Sequence, residues 1–231
     1  MLRVSDLTAR YGTSQVLFGM TFEAARGECI TLLGRNGMGK STTVRSLLGM
    51  LRTREGSVEF DGRAIGGWPS YRIAQAGIGL VPEMRQIFPT LTVRENLTLG
   101  MKRGGTGRWS QDDVFALFPM LRERVDAPGG VLSGGEQQLL TICRTLMGNP
   151  DLIMVDEPTE GLAPMVVDRV RGLLGTIASR GVAILLIEQK LTIALAISHR
   201  LYVMGQGRIM FEGTAEQLRN NEAVRKEWLE I

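Results

Sequence analysis

The sequence predicts an α/β fold built on a parallel β-sheet, with an antiparallel, β-rich start and a helical insertion. Three observations favour this architecture. Residues 2–33 carry strand patterns, strand and helix patterns alternate later in the chain, and the stretch from Thr92 to about Met147 has a helical pattern. Strands that alternate with helices are typical of a parallel sheet. We therefore expect one domain over residues 1–231, with the helical insertion at about residues 90–147.

The strand predictions rest on short apolar runs that end at glycine or turn residues. In chain order they cover residues 2–7, 15–22, 29–33, 57–60, 77–81, 152–155 and 182–187, followed by a hairpin of 201–204 and 209–211. Asp61 and Gly62 form a predicted tight turn after the fourth strand, and residues 205–207 form the turn of the hairpin.

The helix predictions rest on apolar positions at helical spacing. Outside the insertion they cover residues 40–50, 70–76 and 165–179, and a polar helix closes the chain. Within the insertion, Gly104, Gly105 and Gly107 predict a loop, because clustered glycines interrupt helices.

Composition excludes several classes of protein. An apolar fraction of 44% and a charged fraction of 22% are ordinary for a globular protein. The net charge of +3 is too small for a dedicated nucleic-acid binder, so no nucleic-acid partner is expected. Cys29 and Cys143 lie in apolar runs without metal-binding spacing, which favours buried thiols in a reducing compartment such as the cytoplasm.

Membrane-targeting patterns are not evident in the sequence. The first residues lack the charged and then apolar composition of a secretion leader, and no apolar stretch reaches the ~20 residues that a membrane-spanning helix needs. A role at a membrane is therefore expected to come through a partner protein.

A phosphate-binding loop is the most specific pattern in the chain. The motif G-x-x-x-x-G-K-[ST] is matched by Gly34, Arg35, Asn36, Gly37, Met38, Gly39, Lys40 and Ser41. It lies between a predicted strand and a predicted helix, where the motif requires it. Backbone N–H groups and Lys40 would bind ATP phosphates, and Ser41 would ligate Mg²⁺. We predict that these residues and Thr42 bind the nucleotide; a chance glycine turn is the alternative.

A second candidate feature is the acidic pair Asp156 and Glu157, which follows the apolar run 152–155. Ligands of parallel sheets bind at the carboxyl ends of the strands, so this pair is expected near the phosphate loop. Asp156 would lie near Mg²⁺, and Glu157 would act as the general base for the attacking water. Alone, the pair is also consistent with solvated acids at a strand end.

The third feature is a short motif in the insertion, formed by Leu132, Ser133, Gly134, Gly135, Glu136 and Gln137. It resembles the LSGGQ signature of ABC ATPases, with Glu136 in place of the usual glutamine. The order of phosphate loop, signature and acidic pair supports the resemblance, although a Ser/Gly cap of a helix would look similar locally. The resemblance covers nearly the whole chain. It implies a phosphate-loop NTPase fold with a RecA-like parallel core, and a head-to-tail dimer in which the signature of one subunit closes over ATP on the other.

Within that superfamily the chain resembles the ATPase subunits of branched-chain amino-acid importers. The runs that carry this similarity are residues 34–40, 80–89, 91–97, 133–138 and 160–164. The resemblance implies a second cassette, two permease subunits and an external, periplasmic solute-binding protein as partners, with this chain peripheral on the cytoplasmic face of the inner membrane. Importers of urea and short amides use similar subunits.

Two residues depart from the commonest cassette pattern. Glu83 stands where a glutamine usually contacts Mg²⁺ and the attacking water, and the resembled importer subunits often carry glutamate there. Gln189 stands where a histidine usually bonds the γ-phosphate. An amide can donate a hydrogen bond but cannot carry a positive charge near neutral pH, which predicts slow hydrolysis or dependence on a partner site. His199 is predicted to lie in a surface loop without a catalytic role.

Two further expectations come from the resemblance. Tyr11, near the end of the first strand, would stack on adenine, with a half-buried strand tyrosine as the alternative. The apolar loop 87–91 would face a coupling helix of the permease, with core packing as the alternative. Rival classes are a soluble ABC protein of DNA repair or translation, disfavoured because no second cassette or coiled coil is present, and a regulatory subunit that hydrolyses ATP weakly.

Overall fold

The computed structural model of the protein describes residues 1–51, 53–102 and 107–229. The predicted loop positions Gly104 and Gly105 lie outside the described residues. Across the described ranges, no helix is both long enough and apolar enough to cross a membrane.

Strands and helices alternate along the chain as the sequence predicts. The strands are β1 (Leu2–Tyr11), β2 (Ser14–Ala24), β3 (Cys29–Leu33), β4 (Thr53–Phe60), β5 (Arg63–Ala64), β6 (Ile78–Val81), β7 (Leu152–Asp156), β8 (Ala183–Glu188), β9 (Arg200–Gly205) and β10 (Arg208–Gly213). The helices are α1 (Lys40–Leu47), α2 (Ser70–Gln75), α3 (Val93–Gly100), α4 (Gln111–Leu117), α5 (Pro119–Glu123), α6 (Gly134–Leu146), α7 (Pro164–Ser179), α8 (Leu191–Ile197), α9 (Ala215–Asn220) and α10 (Glu222–Trp228). A 3₁₀ turn at Gly129–Val131 precedes α6.

The strands form two sheets. One is antiparallel, in the order β2-β1-β4-β5, and the other has the order β10-β9-β3-β8-β7-β6. Strands β9, β3, β8, β7 and β6 of the second sheet run parallel, and β10 is antiparallel to β9. The predicted parallel sheet with an antiparallel β-rich start is therefore confirmed. The carboxyl ends of β3, β6, β7 and β8 meet at one edge, where such sheets bind ligands.

The parallel sheet separates two apolar clusters. In β7, Leu152 and Met154 join the cluster that also contains side chains of the antiparallel sheet, whereas Ile153 and Val155 join the cluster beneath the helices. Side chains of a strand point alternately to its two faces, so both faces of this strand are covered. Continuous apolar strands of this kind are typical of a parallel sheet that is covered on both faces.

The segment from α3 to α6 forms the helical insertion. Helix α6 contacts both α3 and β6, which joins the insertion to the sheet. Fully buried Asn96 fixes the loop before α3, because its amide exchanges hydrogen bonds with Phe88 N (2.9 Å) and Phe88 O (3.0 Å) and donates to Leu91 O (3.1 Å).

Two helix predictions need correction. The first helix ends at Leu47 rather than residue 50, because Gly49 adopts a left-handed φ of 66°. The closing helix is split into α9 and α10 at Asn221, whose side-chain oxygen accepts from Val224 N at 3.1 Å and so starts a new helix. Helix α8 was not predicted. Both cysteines are buried and unbridged, as expected.

Candidate nucleotide site

The phosphate loop connects the end of β3 with the start of α1. Gly39 immediately precedes the helix with φ of 101°, a left-handed conformation that strongly favours glycine. Gly34 is required for a different reason: a Cβ there would lie 2.9 Å from Met204 O. The loop thus directs the free N–H groups at the start of α1 toward the edge of the sheet, which favours an anion there.

Lys40 is the buried cation of this loop, with only 4% of its side chain exposed. Its ammonium donates to Gly34 O at 2.8 Å and to Arg35 O at 3.1 Å, and lies 3.4 Å from Glu157 Oε1. Because the ammonium bridges its own loop and the end of β7, it fixes the distance between the predicted phosphate site and the predicted base.

A cleft of about 350 Å³ lies over the loop. Among the predicted site residues it is lined by Asn36, Gly37, Gly39, Lys40, Ser41, Thr42, Glu83, Glu157 and Gln189. Val16 and Glu160 complete the lining. A neighbouring cavity of about 490 Å³ shares several of these residues and adds Arg35. Gly34 and Met38 line neither cavity. Met38 packs against the core, and its sulfur accepts from Gln206 N at 3.3 Å.

Carboxylates converge on one side of the cleft. One oxygen each from Glu83, Glu157 and Glu160 lies within 4.8 Å of the other two. Asp156, at the end of β7, lies behind them and is 9% exposed. Burial, followed by repulsion from Glu157 and Glu83, raises the pKa of Asp156 to about 6, although Lys40 and Arg45 act in the opposite direction. Such a concentration of negative charge favours a cation.

A magnesium ion fits this side of the cleft. Asp156 Oδ1 is buried and has no hydrogen-bond partner among the described residues. An orphaned carboxylate oxygen is costly unless a donor or a cation satisfies it. The hard oxygen ligands of Asp156, Glu83 and Ser41 are those that Mg²⁺ prefers, usually with several waters retained.

Glu157 has an unusual backbone for a non-glycine residue. Its φ is 45°, and its N–H donates to Ile187 O at 3.0 Å. Gln189 Nε2 donates to Glu157 Oε2 at 2.6 Å, so the two oxygens of Glu157 are shared between an amide and the Lys40 ammonium. The strained backbone is held where it presents a carboxylate to the cleft, a pattern that clusters at functional sites.

Tyr11 and the signature residues lie outside the lining of the cleft. Tyr11 ends β1 and is 42% exposed; its hydroxyl accepts from Arg45 Nη1 at 3.4 Å.

His199 is exposed, as predicted, and its Nδ1 accepts from Cys29 N at 3.0 Å.

The signature residues form the start of α6. Glu136 N donates to Ser133 Oγ at 3.3 Å and Ser133 N donates to Glu136 Oε2 at 2.8 Å, which is a reciprocal capping box. This explains a glutamate at position 136 in local terms. Burial acts to raise the pKa of Glu136, but the hydrogen bonds from Ser133 and the charge of Arg124 lower it overall.

The two signature glycines are closely approached by other segments. A Cβ at Gly134 would lie 2.6 Å from Arg85 Nη1, and one at Gly135 would lie 2.7 Å from Val166. Gly134 therefore contacts the loop that follows Glu83, whereas Gly135 contacts α7. Arg85 and its neighbour Gln86 both have positive φ, of 57° and 44°, so that loop is strained.

Sequence reasoning missed three residues at the site. Glu160 joins the carboxylate group, and its signal was its position four residues after Asp156 in the same loop. Thr159 and Glu188 are hydrogen-bonded to each other behind the cleft, with Thr159 Oγ1 to Glu188 Oε1 at 2.8 Å. Thr159 follows β7, and Glu188 ends the neighbouring strand β8. The adjacency of these two strands was therefore the available signal.

Together, the glycine loop at a helix start, the buried lysine and the acidic end of β7 define a phosphate-loop nucleotide-binding protein. Comparison with known proteins then gives the family. The family model described as ABC transporter matches residues 17–160. The chain belongs to the ABC transporter family, and it is an ATP-binding, ATP-hydrolysing subunit.

Particular relatives extend the match over the whole chain. The high-affinity branched-chain amino acid transport ATP-binding protein BraG of Pseudomonas aeruginosa is 38% identical, covering 99% of each chain. The lipopolysaccharide export system ATP-binding protein LptB of Haemophilus influenzae is 33% identical, covering 99% of this chain and 97% of its own. A solved nucleotide-free ATP-binding cassette from an ABC transporter superposes with a TM-score of 0.84 at 29% identity, covering 95% of this chain and 94% of its own.

Proposed function

We propose that this chain powers an importer of branched-chain amino acids by hydrolysing Mg–ATP in the cleft. The similarity to BraG carries the proposal, because it extends over 99% of both chains without a large insertion or deletion. The geometry supports it, since the phosphate loop and the acidic end of β7 are joined by the 3.4 Å contact of Lys40 and Glu157.

The phosphate loop would bind the nucleotide. Backbone N–H groups of residues 34–42 surround the phosphates, and Lys40 exchanges its loop carbonyls for β- and γ-phosphate oxygens. Tyr11 stacks on adenine, for which its exposed ring at the end of β1 is suitable. Arg45, which donates to the tyrosine hydroxyl, holds the ring in place.

The acidic side of the cleft would carry the chemistry. Ser41, Asp156 and Glu83 hold Mg²⁺, which supplies charge neutralisation across the phosphates when bound. Glu157 accepts the proton of the attacking water. Gln189, which already bonds Glu157, orients that carboxylate and donates a hydrogen bond to the γ-phosphate, so Lys40, Glu157 and Gln189 form the catalytic group.

The signature would act in a dimer. Ser133, Gly134, Gly135 and Glu136 do not line the cleft of their own chain. We therefore propose that they close over ATP held by a second cassette, whose signature in turn closes over this cleft. The start of α6 suits this role, since the N-terminus of a 13-residue helix favours a phosphate.

The apolar surface beside Glu83 would contact the permease. Met84 is 76% exposed and Phe88 is 48% exposed, although large apolar side chains normally prefer burial. Asn96 holds the backbone at Phe88, which fixes that part of the surface. We propose that it docks on two transmembrane permease subunits served by a periplasmic solute-binding protein, with this chain peripheral on the cytoplasmic face of the inner membrane.

Two alternatives concern the solute. The similarity to LptB favours a lipid exporter as the second candidate, and importers of urea or short-chain amides use comparable subunits. The solute-contacting surfaces lie in other chains, so uptake must be measured rather than inferred from this site.

Uptake in a strain of the source organism that lacks this gene tests the proposal. We expect uptake of radiolabelled leucine, isoleucine and valine to fall, and to be restored by the wild-type gene but not by Glu157→Gln. Lys226→Ala, on the exposed face of α10, is the control and should restore uptake fully. Unchanged amino-acid uptake with loss of urea or acetamide uptake, or with altered outer-leaflet lipid, would assign the chain to an alternative solute.

A further inference from the structure

A buried carboxylate lies next to Gln189, and the proposed mechanism does not use it. Glu188 ends β8 and is 2% exposed. Every other residue of β8 is aliphatic, so a leucine here would continue the strand. Burying an acid costs free energy unless hydrogen bonds offset it. The presence of Glu188 at this position therefore calls for a role beyond filling the core.

Glu188 joins two loops through its two oxygens. Oε1 accepts from Thr159 Oγ1 at 2.8 Å, and Oε2 accepts from the backbone N–H groups of Gln189 at 3.3 Å and Lys190 at 3.5 Å. Thr159 is itself only 1% exposed. A second bond, from Lys190 Nζ to Thr159 O at 3.4 Å, joins the same two loops.

These bonds fix Gln189 relative to Glu157. Thr159 follows Glu157 by two residues, and the backbone N–H of Gln189 is held by Glu188. The Gln189 side chain then reaches Glu157 Oε2 at 2.6 Å. Among the described residues, three side-chain hydrogen bonds join the loop that carries the amide to the loop that carries the carboxylate. The Thr159–Glu188 bond is one of them, and the others are the Gln189–Glu157 and Lys190–Thr159 bonds.

We propose that Glu188 and Thr159 are positioning residues that hold the amide of Gln189 against Glu157. The proposal rests on the proposed function, in which Glu157 activates the water. It assigns to Glu188 a geometric role and requires neither its charge nor a change in its protonation.

The variants separate geometry from charge. Thr159→Val keeps the shape of the threonine and removes its hydroxyl. Glu188→Gln keeps an oxygen for the two backbone N–H groups and offers its own N–H to the Thr159 hydroxyl, so it should behave nearly as wild type. Thr176→Val in α7 is the matched control, because Thr176 Oγ1 makes a local bond to Gly172 O at 3.0 Å away from the cleft.

Phosphate release with Mg–ATP is the first measurement, made on the complex of this chain with its partner cassette and permease subunits. We expect Thr159→Val to lower kcat about tenfold while KM stays within about twofold, because nucleotide contacts remain and only alignment is lost. In the Gln189→Ala background, the same substitution should change kcat less than about twofold, since the group that it positions is gone. An equal loss in both backgrounds, or a change in KM alone, would show a merely structural role and overturn the proposal.

Amide hydrogen exchange in the chain without nucleotide is the second measurement, and it does not depend on hydrolysis. Exchange at the N–H groups of Gln189 and Lys190 should accelerate about tenfold in Thr159→Val and remain unchanged in Thr176→Val. Unchanged exchange would refute the tie whatever the activity. Accelerated exchange with no effect on kcat would refute its catalytic role, and failure of the assembled wild-type complex to hydrolyse ATP would instead count against the proposed function.

Discussion

The phosphate loop and the signature start in the same way, with a Gly-rich turn leading into a helix, but they are completed differently. The phosphate loop at the start of α1 has no side-chain cap, and its groups bond distant segments: Lys40 contacts Glu157 at the end of β7. The signature at the start of α6 is capped by its own Ser133 and Glu136. One region forms a site within the chain, whereas the other is locally satisfied and does not line that site.

This difference indicates where each region's ligand comes from. The cleft combines an orphaned Asp156 oxygen with converging carboxylates, so the free chain bears an electrostatic cost there that a ligand relieves. The signature bears no such cost, because its charged residue is paired with the cap and with Arg124 at 3.8 Å. We expect the cleft to bind nucleotide in the isolated chain, and the signature to matter only when a second subunit is present.

The largest expected effect is on turnover at Glu157. Glu157→Gln should lower steady-state phosphate release about a thousandfold, because an amide cannot accept the proton of water. Nucleotide affinity, measured by titration with a fluorescent ATP analogue, should stay within about threefold. Hydrolysis at the wild-type rate would mean that another residue is the base, and it would contradict the placement of the chemistry on the acidic side of the cleft.

The next effect is on binding through Lys40. Lys40→Ala should weaken ATP binding by more than about a hundredfold in equilibrium titration, because it removes the buried cation on the β- and γ-phosphates. Lys226→Ala, whose ammonium pairs with Glu222 on an exposed helix, is the control of equal charge change. Affinity within threefold of wild type in Lys40→Ala would contradict the assignment of the cleft.

The electrostatic cost of the buried Asp156 carboxylate can be measured through the free energy of unfolding. The raised pKa of Asp156, about 6 against an ordinary value of about 3.9, means that the folded chain keeps this proton to a higher pH than the unfolded chain. Deprotonation therefore penalises the fold as pH rises through 4 to 6. Asp156→Asn should raise the free energy of unfolding at about pH 7.5 by on the order of 2 kcal/mol.

Urea unfolding without nucleotide or Mg²⁺ checks this result, and the advantage of the variant should vanish as the pH falls from about 6 to about 4. A variant less stable than wild type at neutral pH would show that the carboxylate is satisfied in the free chain. That outcome would remove the main contrast between the two regions.

The smallest effect separates the two roles of Ser133. Ser133→Ala should destabilise the fold by about 1 kcal/mol through loss of the cap. Ser110→Ala, which removes the same kind of capping box from α4, should cost a similar amount. Turnover of the assembled transporter should fall about tenfold only in Ser133→Ala, because a neutral hydrogen bond to phosphate is lost as well. Equal turnover in both variants would show that Ser133 only caps α6 and does not bond a phosphate.

The fold was largely predictable because its signals are local. Apolar runs such as 152–155 and 182–187 mark strands that are buried on both faces, and glycines mark the turns. Helix α8 was missed because it has only 7 residues and no capping side chain at Lys190 to mark its start. The split at Asn221 depends on one side-chain bond, which spacing alone does not reveal.

The site was predictable only where a motif is contiguous or ends a strand. The phosphate loop is one run, and Asp156 and Glu157 follow an apolar strand, so both could be placed. The contact between Gln189 and Glu157 joins residues 32 positions apart, and it depends on β7 and β8 being neighbours. No local pattern in the sequence carries that information.

The two buried cysteines give this protein a built-in chemical probe. Burial, with the nearby charge of Glu28, raises the pKa of Cys29 to about 12, and burial alone raises the pKa of Cys143. The thiolate is the form of cysteine that attacks alkylating reagents, so in the folded chain both thiols are protected. Cys29 lies in β3 and Cys143 in α6, so the labelling rate of each thiol would report how fast the sheet and the insertion open. A cysteine introduced at the exposed position Met84 would be labelled selectively, without removal of either native cysteine.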